Sequence, residues 1–371
     1  MTALNLVFGT VDIRACLRRG LRQRLRLSCL CSFFLVLSTA GQPAAFVSAV
    51  TGPFEYLGDW RLMTTTMATG FAGSQVRFDL TGKARLRVVP PASSAIRLVV
   101  KNGEDVVWND LLTTGVIDLD GGTAGSTFTV IHAASNAGQF DPAKPPESSL
   151  LRFAGCELAP DAELSPPVTS RTGPVLAFIG DSITAGVRIR GRQGHWSTNS
   201  DATRTYAFGL VENEQSRYLM WGIPGAIIET FIALFERDRP PPVFAPPDLV
   251  FINLGANQRN DSARHYREKM RTLLQGILRI YPQSRIVLLN FMRMTPNRLP
   301  ELKALANEFP NGKVRVFDAR PFLVGYADSG VHPDEKSHRR LSAALAPLVK
   351  VKLASLAAAP DVREGPPTVN E

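Results

Sequence analysis

The chain has 371 residues, 44% of them hydrophobic and 20% charged, with a net charge of +9. This is a globular balance, and the length suggests about two domains. The charge is uneven: residues 1–40 hold Arg14, Arg18, Arg19, Arg22, Arg24 and Arg26 against Asp12, and the remainder, at +4, has no basic helix or aromatic-interleaved patch, which argues against a nucleic-acid partner.

The arginine-rich start is followed by an apolar run, Leu27 to Leu37, too short to span a bilayer comfortably, and by the small residues Ser38-Thr39-Ala40. This is the pattern of an export signal over residues 1–40. The mature protein is expected to be periplasmic or secreted, with no stable membrane insertion after cleavage. Cleavage would remove Cys16, Cys29 and Cys31 and leave Cys156 alone, so no intramolecular disulfide is expected. Cys156 stands among Leu151, Phe153 and Leu158, the setting of a small buried residue. No Cys or His group has metal-ligand spacing.

Residues 46–160 read as β throughout. Gln75–Leu80, Ala84–Val89 and Ile96–Val100 alternate apolar and polar, and Ile117–Asp120 and Phe128–Ile131 continue the pattern. Turn clusters separate them, and 134–148 reads as a loop before a last strand from Leu150. Short strands at this spacing predict an all-β jelly roll or β-sandwich. Residues 161–173 read as a linker. From 174 to 357 strands and helices alternate. The strands are Val175–Ile179, Tyr218–Trp221, Leu249–Leu254, Arg285–Leu289 and Val314–Phe317; the helices are Tyr206–Gln215, Ala226–Phe235, Ala263–Ile280, Leu299–Glu308 and Ser337–Leu356. In the third helix Tyr266, Met270, Leu273, Leu274 and Ile277 recur at helical steps. Such alternation predicts a parallel sheet with helices on both faces. Residues 358–371 read as a disordered tail.

The first strand of this second half runs into Gly180-Asp181-Ser182. In an open α/β sheet, sites form at the carboxyl ends of strands, where a serine is exposed near backbone N–H groups. Serine after a strand also caps helices, so three residues alone decide nothing. Three later strand ends add chemistry: Gly222-Ile223-Pro224-Gly225, Gly255-Ala256-Asn257, and Asp328-Ser329-Gly330-Val331-His332-Pro333. Acyl transfer needs a nucleophile, a base and donors aimed at the oxyanion. Ser182 can be the first and His332 the second. The N–H groups of Ser182 and Gly225 and the Asn257 amide can be the donors. A carboxylate beside His332 would complete the set.

In this order, Gly180-Asp181-Ser182-Ile183, Gly225, Asn257 and His332-Pro333 resemble the four blocks of the SGNH (GDSL-type) hydrolase superfamily. The resemblance implies a flavodoxin-like three-layer α/β/α domain and ester hydrolysis through an acyl-enzyme, with no metal or organic cofactor. It puts the nucleophile on Ser182, the oxyanion residues on Gly225 and Asn257, and the base on His332. Gly58-Asp59-Trp60, Gly73–Phe78, Thr81-Gly82 and Phe153–Leu158 are similar to the jelly roll preceding the SGNH domain in family-two carbohydrate esterases, which remove acetyl groups from sugars. One departure stands out. The superfamily places its acid three residues before the histidine, where this chain has Ser329; Asp328 lies one residue earlier. Asp328 would reach His332 if the loop bulges by one residue. Otherwise Asp334 or a backbone carbonyl would orient the imidazole and leave a Ser–His dyad, as in family-two members that lack the acid. Asp181 suits hydrogen bonding within its own turn.

His195-Trp196, in a loop over residues 188–200, is a candidate substrate contact, the aromatic stacking on a sugar; a solvated insertion is the alternative. Trp60 and Trp108 read as sandwich core. His338 reads as a capping or solvent-facing residue of the last helix, and His132 and His265 as structural. The expected function is an exported serine esterase removing acetyl or other small acyl groups from glycans. The alternatives are a lipase, thioesterase or acyltransferase on the same scaffold, or a degenerate glycan-binding protein.

Overall fold

The structure, a computed structural model, describes residues 45–357 except 92–94, 136–137, 193–195, 237–244, 292–296 and 329. The expected signal segment, the C-terminal tail and His195 lie outside the described residues.

Two antiparallel sheets form the N-terminal half. Their strands are β1 (Ala45–Ser48), β2 (Glu55–Leu57), β3 (Arg61–Met63), β4 (Thr66–Thr69), β5 (Gln75–Thr81), β6 (Lys83–Val89), β7 (Arg97–Asn102), β8 (Asp105–Leu111), β9 (Val116–Asp120), β10 (Ser126–Ala134), β11 (Leu151–Leu158) and β12 (Glu163–Ser165). One sheet runs β3-β4-β11-β6-β9 with β1 joined to β11; the other runs β12-β5-β10-β7-β8 with β2 joined to β5. Alternate residues point inward. Val76, Phe78, Leu80, Leu86, Leu98, Val100, Phe128, Val130 and Phe153 close the core between them. Trp60 is buried there and half-buried Trp108 packs against it. Cys156 is free and buried, and burial pushes its thiol up to about 12, which makes it inert. β12 falls inside the segment that reads as a linker. It pairs with β5, so the sandwich continues to Ser165.

The C-terminal half is a five-stranded parallel sheet of β13 (Gly173–Gly180), β14 (Ser216–Gly222), β15 (Leu249–Asn253), β16 (Arg285–Asn290) and β17 (Val314–Asp318), in the order β14-β13-β15-β16-β17. This is the flavodoxin-like order. The described helices are α1 (Trp196–Asn199), α2 (Tyr206–Asn213), α3 (Ile228–Phe235), α4 (Ala263–Ile280), α5 (Leu299–Ala306) and α6 (Glu335–Ala357). Leu176 and Phe178 of β13 pack on one face with Tyr206, Leu210, Leu341 and Leu345. Ala177 and Ile179 pack on the other with Phe231, Leu234, Leu273 and Ile277. Burial on both faces is why this strand reads as an unbroken apolar run. α4 starts where the Ser262 hydroxyl accepts the His265 N–H at 3.1 Å.

The two halves share their cores. Leu57, Val99, Ile131 and Ala133, on the outer face of the second sandwich sheet, pack with Phe178, Tyr218 and Met220. The Gly58 N–H donates to the Tyr218 carbonyl at 3.0 Å and so covers β14, an edge strand of the parallel sheet. The Tyr218 hydroxyl donates to the Gly73 carbonyl at 2.5 Å, and the Trp221 indole N–H to Asp59 at 3.0 Å. Arg171 is buried at this seam; it donates to the Val211 carbonyl at 2.9 Å and pairs with Glu212.

Candidate active site

The chain leaves β13 for β14 on one side and later enters β15 on the other. Beside such a switch point the strand ends leave a crevice. Ser182 follows β13, Gly225 follows β14 and Asn257 follows β15. Hydrogen bonds tie these turns together. The Ile223 N–H donates to the Gly180 carbonyl at 3.0 Å, and the Asn257 amide to the Ala226 carbonyl at 3.0 Å.

His332 arrives from the loop between β17 and α6. Its Nε2 lies 3.0 Å from Ser182 Oγ, and its Nδ1 lies 2.5 Å from Asp328 Oδ2. The four-residue separation is accommodated locally. Asp328 Oδ1 accepts the backbone N–H of both Val331 and His332, at 3.0 and 2.9 Å. The Ala327 N–H returns to the His332 carbonyl at 2.9 Å. The carboxylate therefore shapes the loop that brings the imidazole onto it. Burial alone would raise the Asp328 pKa. The hydrogen bonds from the His332 backbone and ring, with the Val331 N–H, outweigh burial and hold the carboxyl below its ordinary range. Asp334, the other candidate acid, caps α6: its Oδ1 accepts the Ser337 N–H at 2.8 Å.

Gly225 has φ +75° and is exposed, in a turn closed by the Ala226 N–H on the Ile223 carbonyl at 3.0 Å. This left-handed conformation suits glycine. A sandwich residue stands beside it: a Cβ at Gly225 would lie 3.7 Å from Gln139 Cβ. Asn257 is exposed and spends one amide hydrogen on Ala226, which leaves the other free to donate. Ser182, next to His332, is half-buried. Nucleophilic attack by Ser182 with proton removal by His332 is chemically available in this arrangement.

Asp181 is fully buried. Its Oδ1 accepts the Ile183 N–H at 2.9 Å, and burial pushes its pKa up to about 7. It serves its own turn and makes no contact with His332 among the described hydrogen bonds. His338 differs from its sequence reading. It is 2% exposed, its ring stacks on Tyr206 with centroids 5.9 Å apart, and its Nδ1 accepts the Tyr206 N–H at 3.1 Å. Burial pushes it down to about 3. The reason is helical spacing: His338 shares a face with Leu341 and Leu345, which packs onto the sheet.

Trp196 opens α1 and is 38% exposed, with the Arg188 guanidinium 5.5 Å from its ring centroid. Arg97 of the sandwich holds this turn. It donates to the carbonyls of Ser197 and Thr198 at 3.3 and 3.0 Å and to Asn109 at 2.7 Å. Sequence reading passes over Arg97, because a polar residue on an alternating strand reads as solvent-facing.

Residues 178–340 match the model of the GDSL-like lipase/acylhydrolase family. No curated protein sequence matches the chain. Solved structures match its fold. A carbohydrate esterase family 2 enzyme plus carbohydrate binding domain from Corynascus thermopiles (Myceliophthora fergusii) is 20% identical, with TM-score 0.64, over 81% of this chain and 99% of that one. An acetyl xylan esterase from the rumen bacterium Butyrivibrio proteoclasticus is 15% identical, with TM-score 0.67, over 84% and 99%. A salicylyl-acyltransferase from a tetracycline biosynthetic pathway is 16% identical, with TM-score 0.59, over 85% and 99%. The match over residues 178–340 makes the protein a carboxylic ester hydrolase similar to the GDSL-like lipase/acylhydrolase family, and its jelly-roll-plus-SGNH fold is similar to that of solved family-two carbohydrate esterases.

Proposed function

We propose that the protein is a serine esterase that removes acetyl, or similarly small acyl, groups from carbohydrate. The observation that carries this reading is the hydrogen-bonded series Ser182–His332–Asp328 at the switch point of the sheet. Ser182 Oγ attacks the ester carbonyl while His332 Nε2 takes its proton. Asp328 holds the Nδ1–H tautomer and stabilises the imidazolium. The oxyanion is received by the N–H groups of Ser182 and Gly225 and by the Asn257 amide. His332 returns its proton to the departing sugar hydroxyl, then activates the water that releases the acid from Ser182. The carbohydrate part of the proposal is supported by likeness to proteins described as carbohydrate and acetyl xylan esterases, and by exposed Trp196, a surface on which a sugar can stack.

The test is turnover of p-nitrophenyl acetate and acetate release from acetylated oligosaccharides by the wild type and Ser182→Ala. Equal rates for the two proteins would defeat the proposal. The likeness to an acyltransferase favours a second reading, in which an alcohol replaces water as acceptor. Added alcohols that raise p-nitrophenol release and yield a new ester would support it. An ester series with preference for long acyl chains would favour a lipase or thioesterase.

A further inference from the structure

Immediately beyond the Ser182 turn the chain is cationic. Residues 186–200 contain Arg188, Arg190 and Arg192 and no acidic residue. Arg97 joins them from the sandwich and Arg204 from the turn before α2. The carboxylates that answer are fewer. Asp201 takes Arg190 at 3.4 Å and Arg204 at 3.2 Å, Glu335 takes Arg204 at 2.5 Å, and Asp110 faces Arg97. The crowding acts on Arg97 itself: burial first, then neighbouring Arg190, lower its affinity for its proton. Gathered like charges raise the local potential and draw counter-ions to the surface.

Arg188 is the exceptional member. Its φ of +57° is a left-handed conformation that a residue with a side chain seldom adopts. Its surroundings enforce it. The Arg188 N–H donates to Ser200 Oγ at 3.1 Å, and its carbonyl accepts the Gly191 N–H at 2.9 Å. Backbone strain held in place this way is a mark of functional segments. Its guanidinium lies over the exposed Trp196 ring, and none of the described ion pairs gives it a carboxylate. The segment is anchored at both ends of the Ser182–His332 pair. The Val187 N–H donates to the Ser182 carbonyl at 2.9 Å, and Arg204 holds Glu335, three residues past His332.

Building on the esterase reading above, we infer that the glycan substrate is acidic: the acylated sugar or its neighbour carries a carboxylate that Arg188 binds while the ring stacks on Trp196. A neutral sugar gives Arg188, which has no carboxylate among the described ion pairs, nothing to bind beyond ordinary hydroxyl contacts. A uronic acid offers two carboxylate oxygens that match the planar guanidinium fork, which a lysine would not reproduce. The surplus charge around Arg190, Arg192 and Arg204 steers an anionic chain toward the site, an effect that salt screens.

The test compares acetate release from acetylated oligogalacturonides and from acetylated xylo-oligosaccharides of equal length, at low and high salt. The wild type is expected to favour the acidic ester roughly tenfold or more in kcat/KM, as one charge-assisted hydrogen bond would give. The difference lies in KM and shrinks at high salt. Arg188→Gln brings the acidic-to-neutral ratio close to one, and Arg188→Lys keeps part of it. The ratio is taken within each variant, so loss of folded protein lowers both rates and leaves it unchanged. Equal kcat/KM for both esters in the wild type, or a preference indifferent to salt and to Arg188→Gln, overturns the inference. If p-nitrophenyl acetate is hydrolysed through Ser182 and the acidic ester has no advantage, only the acidic-substrate inference fails. If the wild type hydrolyses no ester at all, the esterase reading fails and takes the inference with it.

Discussion

Two strands of this molecule, β13 of the parallel sheet and β5 of the sandwich sheet that packs against it, are buried on both faces by different means. β13 does it with Val175, Leu176, Ala177, Phe178 and Ile179, all apolar. β5 alternates: Val76, Phe78 and Leu80 enter the sandwich core, while Gln75 and Arg77, at 0% and 8% exposure, face the other way and are buried too. Gln75 donates to Glu212 at 3.0 Å, and Arg77 pairs with Glu55 at 2.6 Å. Buried polar groups are tolerated when each finds a partner, and leaving one of them without it costs about 1–3 kcal/mol. The sandwich is therefore a wall of the hydrolase half, sealed by apolar contacts and by polar pairs that an alternating strand conceals.

The division of labour between sheet and wall can be broken at several points. The largest expected effect is at the sheet edge. Ser182→Ala is expected to lower kcat for p-nitrophenyl acetate by on the order of 10⁴-fold or more, with folding unchanged by circular dichroism. Asp328→Asn comes next, at roughly 10²- to 10⁴-fold, since the imidazole loses the group that fixes its tautomer. A variant within twofold of wild type would mean that Ser182 and His332 suffice alone.

Changes in the wall are expected to act through stability and position. A chain starting at residue 166 exposes the β14 edge and the face beside Tyr218 and Met220. It is expected to aggregate, whereas the full chain unfolds in one calorimetric transition. Arg97→Ala leaves the carbonyls of Ser197 and Thr198 without these donors. It is expected to raise KM for the glycan severalfold and to cost about 1–3 kcal/mol. The smallest effect is pH-dependent. Burial pushes His132 down to about 4, so between pH 6.5 and that value the unfolded chain binds a proton that the folded chain refuses, and stability falls as pH falls. His132→Leu is expected to spare about 2 kcal/mol of the loss between about pH 7 and about pH 5, read from urea midpoints. Asp181, pushed up to about 7, acts in the opposite direction in both proteins and cancels from the comparison.

The parallel sheet was readable because its patterns are local. Unbroken apolar runs marked β13 to β16, β17 with its Arg315 followed from the alternation with helices, and Tyr266, Met270, Leu273, Leu274 and Ile277 drew the buried face of α4 with the observed bounds, Ala263–Ile280. Ser182, Gly225, Asn257 and His332 could be nominated because each follows a strand. What brings Asp328 to His332 was harder to read. It depends on one carboxylate oxygen gathering two backbone N–H groups, which spacing alone does not reveal. β8 was missed because its outward residues, Val106 and Val107 among them, are exposed on an edge and follow no amphipathic rhythm. His338 was misplaced because a titratable side chain on a terminal helix suggests water, and only the packing of Leu341 and Leu345 turns it inward. Arg97 and Gln75 carried no signal, since the partners they hold across the two halves lie 100 or more residues away.

The grip of Arg97 on the Trp196 turn has one more consequence. It acts on the carbonyl oxygens of Ser197 and Thr198, which every amino acid possesses. At exposed Trp196 the path of the turn is thereby decoupled from the identity of the side chain, whereas Ser197 beside it is fully buried. Exposed position 196 can be exchanged while the scaffold holds its course, so substrate preference can drift, or be engineered, at a place where change does not unsettle the fold.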